Sequence, residues 1–293
     1  MENRRNITDL PLEVLNRIFR YCGNTVNKVN LAQAHPYFVE AFVYHSRNAF
    51  KDIYYFTGIS MSCWEFILPL CGSNVNLIKR TAYKTNDLSL DNLILQHCHN
   101  LKDISFKFDV EGLSYVSNFI SDKKNSVKTL DLYFHGSRTS EDQIKLLEDL
   151  PDLPHLTKLR IKQTPSDDRT ITSASSVRRS IINQGETLER LLFISGTTPY
   201  DGEGLLELVK GCRKLRYFLA PIHEVKFHLD LVKRLVTALG ENGFTPDDPL
   251  ELVMDEYFKL KWLCHWMKFT SNEKLINPRL SGPEEYKLKS PYW

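Results

Sequence analysis

The chain has 293 residues, with 38 Lys+Arg against 36 Asp+Glu for a formal net charge of +2, and is 42% hydrophobic and 25% charged. Such a length fits one large or two modest domains, and such a balance excludes a disordered tail, a collagen-like repeat and a polycation, so whole-chain charge points to no nucleic-acid or membrane partner. No apolar run approaches the roughly 18 residues a membrane span requires and Met1 to Asp9 lacks a signal-peptide apolar segment, so a cytoplasmic or nuclear protein is expected.

The first predicted helix starts near Pro11, whose ring suits a first turn, with Glu13 at the positive dipole end. Seven of the eleven positions from Leu12 to Cys22 are apolar. At about 3.6 residues per turn they form two stripes, one through Leu12, Leu15, Phe19 and Cys22, the other through Val14, Ile18 and Tyr21. One small core needs only one of these. A second helix is expected over Val29 to His35, stopped by Pro36, and a third places Phe38, Ala41, Phe42 and His45 on one face. Three helices in about 40 residues bury too little to stand alone, so they must lean on the rest of the chain, on a partner or on both.

The run Ile7-Thr8-Asp9-Leu10-Pro11-Leu12-Glu13-Val14-Leu15-Asn16-Arg17-Ile18-Phe19-Arg20-Tyr21-Cys22, followed by Leu31-Ala32-Gln33-Ala34-His35 and Phe38, resembles an F-box. Its "LPxEVLxxIF" core carries the resemblance. Cys22 stands where Leu is usual, His35 near a usual Cys, and Phe38 where Trp is common. The resemblance implies docking on the Skp-type adaptor of a cullin-RING ubiquitin ligase through Leu10, Pro11, Leu12, Val14, Leu15, Ile18 and Phe19, with Leu31, Ala32 and Phe38 completing the bundle. Which of these face the adaptor and which face inward stays open at this point.

Farther along, an apolar-x-x-apolar-x-apolar pattern recurs at Leu101, Ile104, Phe106; Val127, Leu130, Leu132; Leu156, Leu159, Ile161; and Leu188, Leu191, Phe193, and continues through Leu215 and Phe218. The first positions lie 26, 29, 32 and 27 residues apart, the period of a helical leucine-rich repeat with insertions. Amphipathic stripes fall between: Leu90, Leu93, Ile94 and His97; Ile144, Leu147 and Leu150; Val177 and Ile181; Leu205, Leu208, Val209 and Cys212. Val75 to Ile78 reads as an earlier strand after a helix over Cys63 to Leu70. Leu250 to Met254 reads as a later one, followed by a helix through Leu260, Leu263, Cys264 and Met267 and a strand near Leu275. Gly240 to Pro249 reads as a loop, and from Arg279 the pattern breaks.

The fold expected is therefore α/β: a three-helix F-box unit over 1–48, a horseshoe of short parallel strands alternating with helices over 49–278, and an irregular tail over 279–293. Cys98 and Cys212 each lie three residues before a strand leucine, which resembles the cysteine-containing repeat subclass often joined to F-boxes. The six cysteines form no CxxC pair and read as buried hydrophobes.

No GxSxG, GxxxxGK[ST] or GxGxxG motif is present. His223-Glu224 with His228 departs from HExxH because the second His is five residues on, about 140° around a helix. A non-catalytic protein without cofactor or metal is expected. Strand residues alternating with the core point to the other face of the sheet, normally a binding surface. Lys158, Arg160, Lys162 and Arg190 make it basic there, beside Tyr133, Leu192, Ile194, Tyr217 and Leu219. These nine suggest docking of a protein substrate with an acidic or phosphorylated segment and an apolar anchor. The resulting expectation is a substrate receptor of a Skp-cullin-F-box ligase. Its rivals are an adaptor-bound scaffold that engages no cullin, and a nucleic-acid-binding solenoid, which the near-neutral charge disfavours.

Overall fold

The computed structural model describes residues 6–55, 58–81, 89–108, 113–134, 141–163, 174–194, 201–219, 222 and 224–282. The chain forms two compact units, Met1–Ser105 and Phe106–Trp293, and the division falls within a strand.

The first unit begins with a 3-10 turn, Ile7–Asp9, closed by reciprocal capping between Asn6 and Asp9. Helix α1 (Leu12–Tyr21) follows, with Pro11 just outside it as N-cap. Helices α2 (Thr25–Gln33) and α3 (Pro36–Ser46) complete a bundle. Its centre is Phe19, fully buried, edge-on to Phe42 at 5.9 Å and stacked on His45 at 5.6 Å. Phe42 then meets Phe66 of α4 (Met61–Cys71) at 5.6 Å, and Phe50 meets Trp64 of the same helix. The bundle thus leans on its own chain, as its small core requires.

Strands β1 (Asp52–Tyr54) and β2 (Leu77–Thr81) pair in parallel, with Ile53 opposite Ile78. Helix α5 (Ser89–His97) brings Asp91 to Arg80 of β2, a buried ion pair that Tyr55 joins by donating its hydroxyl to Asp91. Strand β3 (Asp103–Phe108) spans the division between units.

In the second unit α6 (Leu113–Lys123), β4 (Thr129–Phe134), α7 (Glu141–Glu148), β5 (Lys158–Gln163), α8 (Ala174–Asn183), β6 (Arg190–Ile194), α9 (Gly202–Gly211), β7 (Tyr217–Leu219), α10 (Leu229–Glu241), β8 (Leu250–Met254), α11 (Tyr257–Met267) and β9 (Ile276–Leu280) alternate without exception. Among the described residues nine strands lie in chain order in one sheet, and every pairing from β4 to β9 is parallel. The predicted core triplets are buried on the helix side, among them Leu130, Leu132, Leu159, Ile161, Leu191, Phe193 and Phe218. Cys98 and Cys212 are buried at the corners between helix and strand.

A carbonyl just before each of β1, β2, β4, β5 and β6 ties successive repeats together. Lys51 accepts from the N–H groups of Asn76 and Leu77, and Asn76 from Lys102 and Asp103. In the second unit Lys128 accepts from Thr157 and Lys158, Thr157 from Glu189 and Arg190, and Glu189 from Arg216 and Tyr217, all at 2.8–3.1 Å. Each shared acceptor satisfies two donors where the chain turns into the sheet, so neighbouring repeats complete one another's backbone bonding.

Several boundaries differ from the sequence expectations. Helix α2 starts at Thr25, four residues before Val29, because the Asn24 side chain accepts from the Asn27 N–H at 2.9 Å and caps it there. The expected loop from Gly240 begins only after Glu241, since α10 runs that far. The irregular stretch expected from Arg279 starts later, because Arg279 and Leu280 belong to β9, paired with Val253 and Met254. Strand β1 and helices α6 and α10 had no counterpart in the expectations. The side chain of Ile144 and residues 283–293 lie outside the described residues.

Candidate functional site

Two surfaces hold the residues singled out by sequence. On the first, in the N-terminal unit, the motif divides by burial. Leu15, Phe19, Ala32 and Phe38 are buried inside the bundle. Leu10, Leu12, Ile18 and Leu31 are half-buried, and Pro11 is exposed. Val14 is 40% exposed and Tyr21 90%. The stripe through Leu15 and Phe19 is therefore the inner one, and the stripe through Val14, Ile18 and Tyr21 faces outward. Ile7 and Val26, which the sequence pattern did not single out, are exposed apolar side chains in the same segment.

Polar bonds hold this arrangement. Tyr37 of α3 donates its hydroxyl to the Leu10 carbonyl at 2.9 Å, fixing the approach to α1. His45 bridges all three helices. Lys28, a donor only, donates to Nε2 at 3.2 Å, so Nδ1 carries the proton and donates to Asn16 Oδ1 at 2.8 Å. Burial, with Lys28 and Arg20 nearby, holds the imidazole below its ordinary pKa and favours this neutral form.

The second surface is the face of the β4–β8 sheet away from the helices. Parallel register brings Thr129, Lys158, Arg190, Tyr217 and Glu251 into one row, and Asp131, Arg160, Leu192, Leu219 and Val253 into the next. A third row holds Tyr133, Lys162 and Ile194. Leu192, Tyr217 and Leu219 were expected in solvent as an apolar anchor. They are instead buried with Val253 in a second small core, against which half-buried Ile194 packs. Leucines and a valine adjacent in register on one face find each other more readily than water.

The cations are also more engaged than their alternation along each strand suggests. Arg160 pairs with Asp131 at 3.3 Å on the neighbouring strand. The Arg190 guanidinium lies 4.5 Å from the Tyr217 ring centre, and Arg279 both stacks there and pairs with Glu251. Lys107 and Lys162 flank the Tyr133 ring at 5.2 and 4.9 Å. Burial, then Arg160 and Lys107, lowers the Lys162 pKa from its ordinary value. Lys107, absent from the expected set, belongs to this surface. The remaining expected member, Lys158, is half-buried on the first row.

Elsewhere, His228 caps α10, its Nδ1 accepting from the Leu231 N–H at 3.3 Å, while His223 lies outside the described residues. Burial pushes the Cys71 thiol up to about 11 and the Cys212 thiol up to about 12. Among the described residues no group of three or more His, Cys, Asp or Glu is placed to hold a metal ion, and no helix is long and apolar enough to cross a membrane. Comparison of the chain with models of known protein families and with curated proteins gave no match.

Proposed function

We propose that the chain is a substrate receptor of a Skp-cullin-F-box ubiquitin ligase. The three N-terminal helices are its F-box and dock on the Skp-type adaptor, and the strands and helices that follow are a leucine-rich-repeat horseshoe that holds a protein for ubiquitination. The chemistry belongs to the ubiquitin-conjugating enzyme of the assembly. This chain contributes proximity, by raising the effective concentration of substrate lysines near the thioester. An acidic segment of the captured protein would meet Lys107, Lys162 and Arg190 on the sheet face.

One observation carries the reading. The motif's apolar residues outnumber the places in the bundle core, and the surplus, Val14 and Tyr21 with half-buried Ile18, shares one outward stripe beside exposed Ile7. An apolar stripe left outward on a helix whose other stripe is already in the core suits a docking face.

Affinity purification of the full chain from cells tests it. Wild type should bring down the Skp-type adaptor and the cullin. Val14→Asp should lose both, because an unpaired carboxylate in an apolar contact costs about 2–4 kcal/mol, roughly thirtyfold to a thousandfold in Kd. Since Val14 is partly solvated, the variant should keep the wild-type thermal transition. Adaptor without cullin would contradict the ligase role, and absence of the adaptor would contradict the F-box itself.

A further inference from the structure

Exposed large apolar side chains among the described residues occur in only two places. Ile7, Val14, Tyr21 and Val26 belong to the N-terminal surface, and the other five all lie between Tyr257 and Leu280. Four of those five are aromatic and belong to α11 and the turn after it: Tyr257 is 60% exposed, Phe258 73%, Trp262 54% and Phe269 58%.

Helix α11 has a buried side, Leu263 and Met267, that seats it on the second unit. Its opposite side is a single arc. At about 100° per residue, Tyr257, Phe258, Lys261, Trp262, His265, Lys268 and Phe269 fall within about 140° of one another. Lys261 and Lys268 lie with Tyr257 along one edge of the arc, and Phe258, Trp262 and Phe269 along the other. The rings are already ordered against each other. Trp262 stacks on Trp266 at 6.3 Å, and His265 sits edge-on to Trp266 at 4.8 Å and to Phe269 at 5.4 Å. Lys259 is committed to the Val225 carbonyl at 2.6 Å, whereas Lys261 and Lys268 are exposed. From Tyr257 to Asn272 the sequence contains three lysines and no acidic residue; Asp255 and Glu256 precede it and Glu273 follows.

We infer that this face rests on an anionic lipid surface, with the rings at the level of the headgroups and acyl boundary and the Lys261 and Lys268 ammoniums on lipid phosphates and carboxylates. Two features favour lipid over a protein partner or a second copy of the chain. Lysines are depleted from the centres of protein interfaces, yet here they share the arc with the rings; at a membrane, aromatic rings and lysines are the residues that gather at the boundary. The four exposed rings offer on the order of 500 Å² (at roughly 200 Å² per aromatic side chain), below the about 800 Å² per partner of a standard protein interface. Whole-chain charge gave no hint of this, because it averages one helix into 293 residues. The inference stands apart from the adaptor reading and does not depend on it.

The full chain should be sedimented with vesicles of phosphatidylcholine alone and of phosphatidylcholine mixed with phosphatidylserine. Wild type should co-sediment with the mixed vesicles, roughly thirtyfold more tightly than with the neutral ones, as expected for two lysines near an anionic surface. Phe258→Ser with Trp262→Ser should abolish binding to both, and Lys261→Glu with Lys268→Glu should remove the preference for phosphatidylserine. All four side chains are exposed, so an unchanged thermal transition is the folding control. Wild type that stays in the supernatant, or variants that bind as wild type does, would overturn the inference. So would a dimer in solution that Phe258→Ser with Trp262→Ser dissociates, since the face would then belong to a second copy.

Discussion

Gln184 is nine-tenths or more buried, and both ends of its amide are used: Oε1 accepts from the Leu153 N–H at 2.9 Å, and Nε2 donates to the Pro151 carbonyl at 3.0 Å. It thereby satisfies the backbone of the segment leading into β5 from the end of α8. Gln184→Leu keeps the volume but orphans two backbone groups, at about 1–3 kcal/mol for each that stays buried. Urea denaturation should show a loss of at least about 2 kcal/mol. His45 gives a second prediction at this scale. Its folded-state pKa lies below the ordinary 6.5, so as pH falls through that value the unfolded chain takes up the proton first. Stability should decline on the acid side of 6.5 until the folded pKa is passed. A His45→Gln variant, scanned by thermal melts across pH 7 to 5, should show a shallower decline than wild type.

At the scale of elements, close approach at the corners matters as much as the apolar pattern. A Cβ on Gly185, just after α8, would run into the Gly211 carbonyl oxygen at the end of α9. Both are backbone or near-backbone atoms that cannot swing aside, so Gly185→Ala should destabilise the second unit by about 1–3 kcal/mol, visible as a lowered Tm. No feature of the sequence marked that glycine, because the clash is with a residue of the next repeat. What was legible was periodicity: the triplets at Leu130, Leu159 and Leu191 predict β4, β5 and β6 because their inward positions repeat on one face. Strand β1 was missed because three residues with one buried side chain, Ile53, carry no alternation to read. Helix α10 carries its own stripe, Leu231, Leu235 and Leu239, and the His228 that departs from HExxH serves as its cap.

The sheet face shows the same limit from the other side. Alternation identified which residues leave the helix-facing core, but not what they meet. Leu192, Leu219 and Val253 become neighbours only through the register of three strands, and their burial together removes the anchor the sequence had suggested. Arg160 meets Asp131 by the same route. Along the N-terminal motif the sequence showed that two stripes exist, and packing around Phe19 decided which one turns outward.

For the molecule as a whole, the proposed ligase role divides the work between the N-terminal helices, which would dock, and the repeats, which would hold. Among the described residues, exposed large apolar side chains fall in two places, the N-terminal segment and the stretch from Tyr257 to Leu280. The ligase reading stands on the first of them, the outward stripe of α1. Hydrogen–deuterium exchange of the full chain, with and without purified Skp-type adaptor, tests that directly. Adding the adaptor should slow exchange across Ile7–Tyr21 and at Thr25–Gln33 while leaving β5 to β8 unchanged. Protection confined to the strands, or no protection of α1 at saturating adaptor, would contradict it.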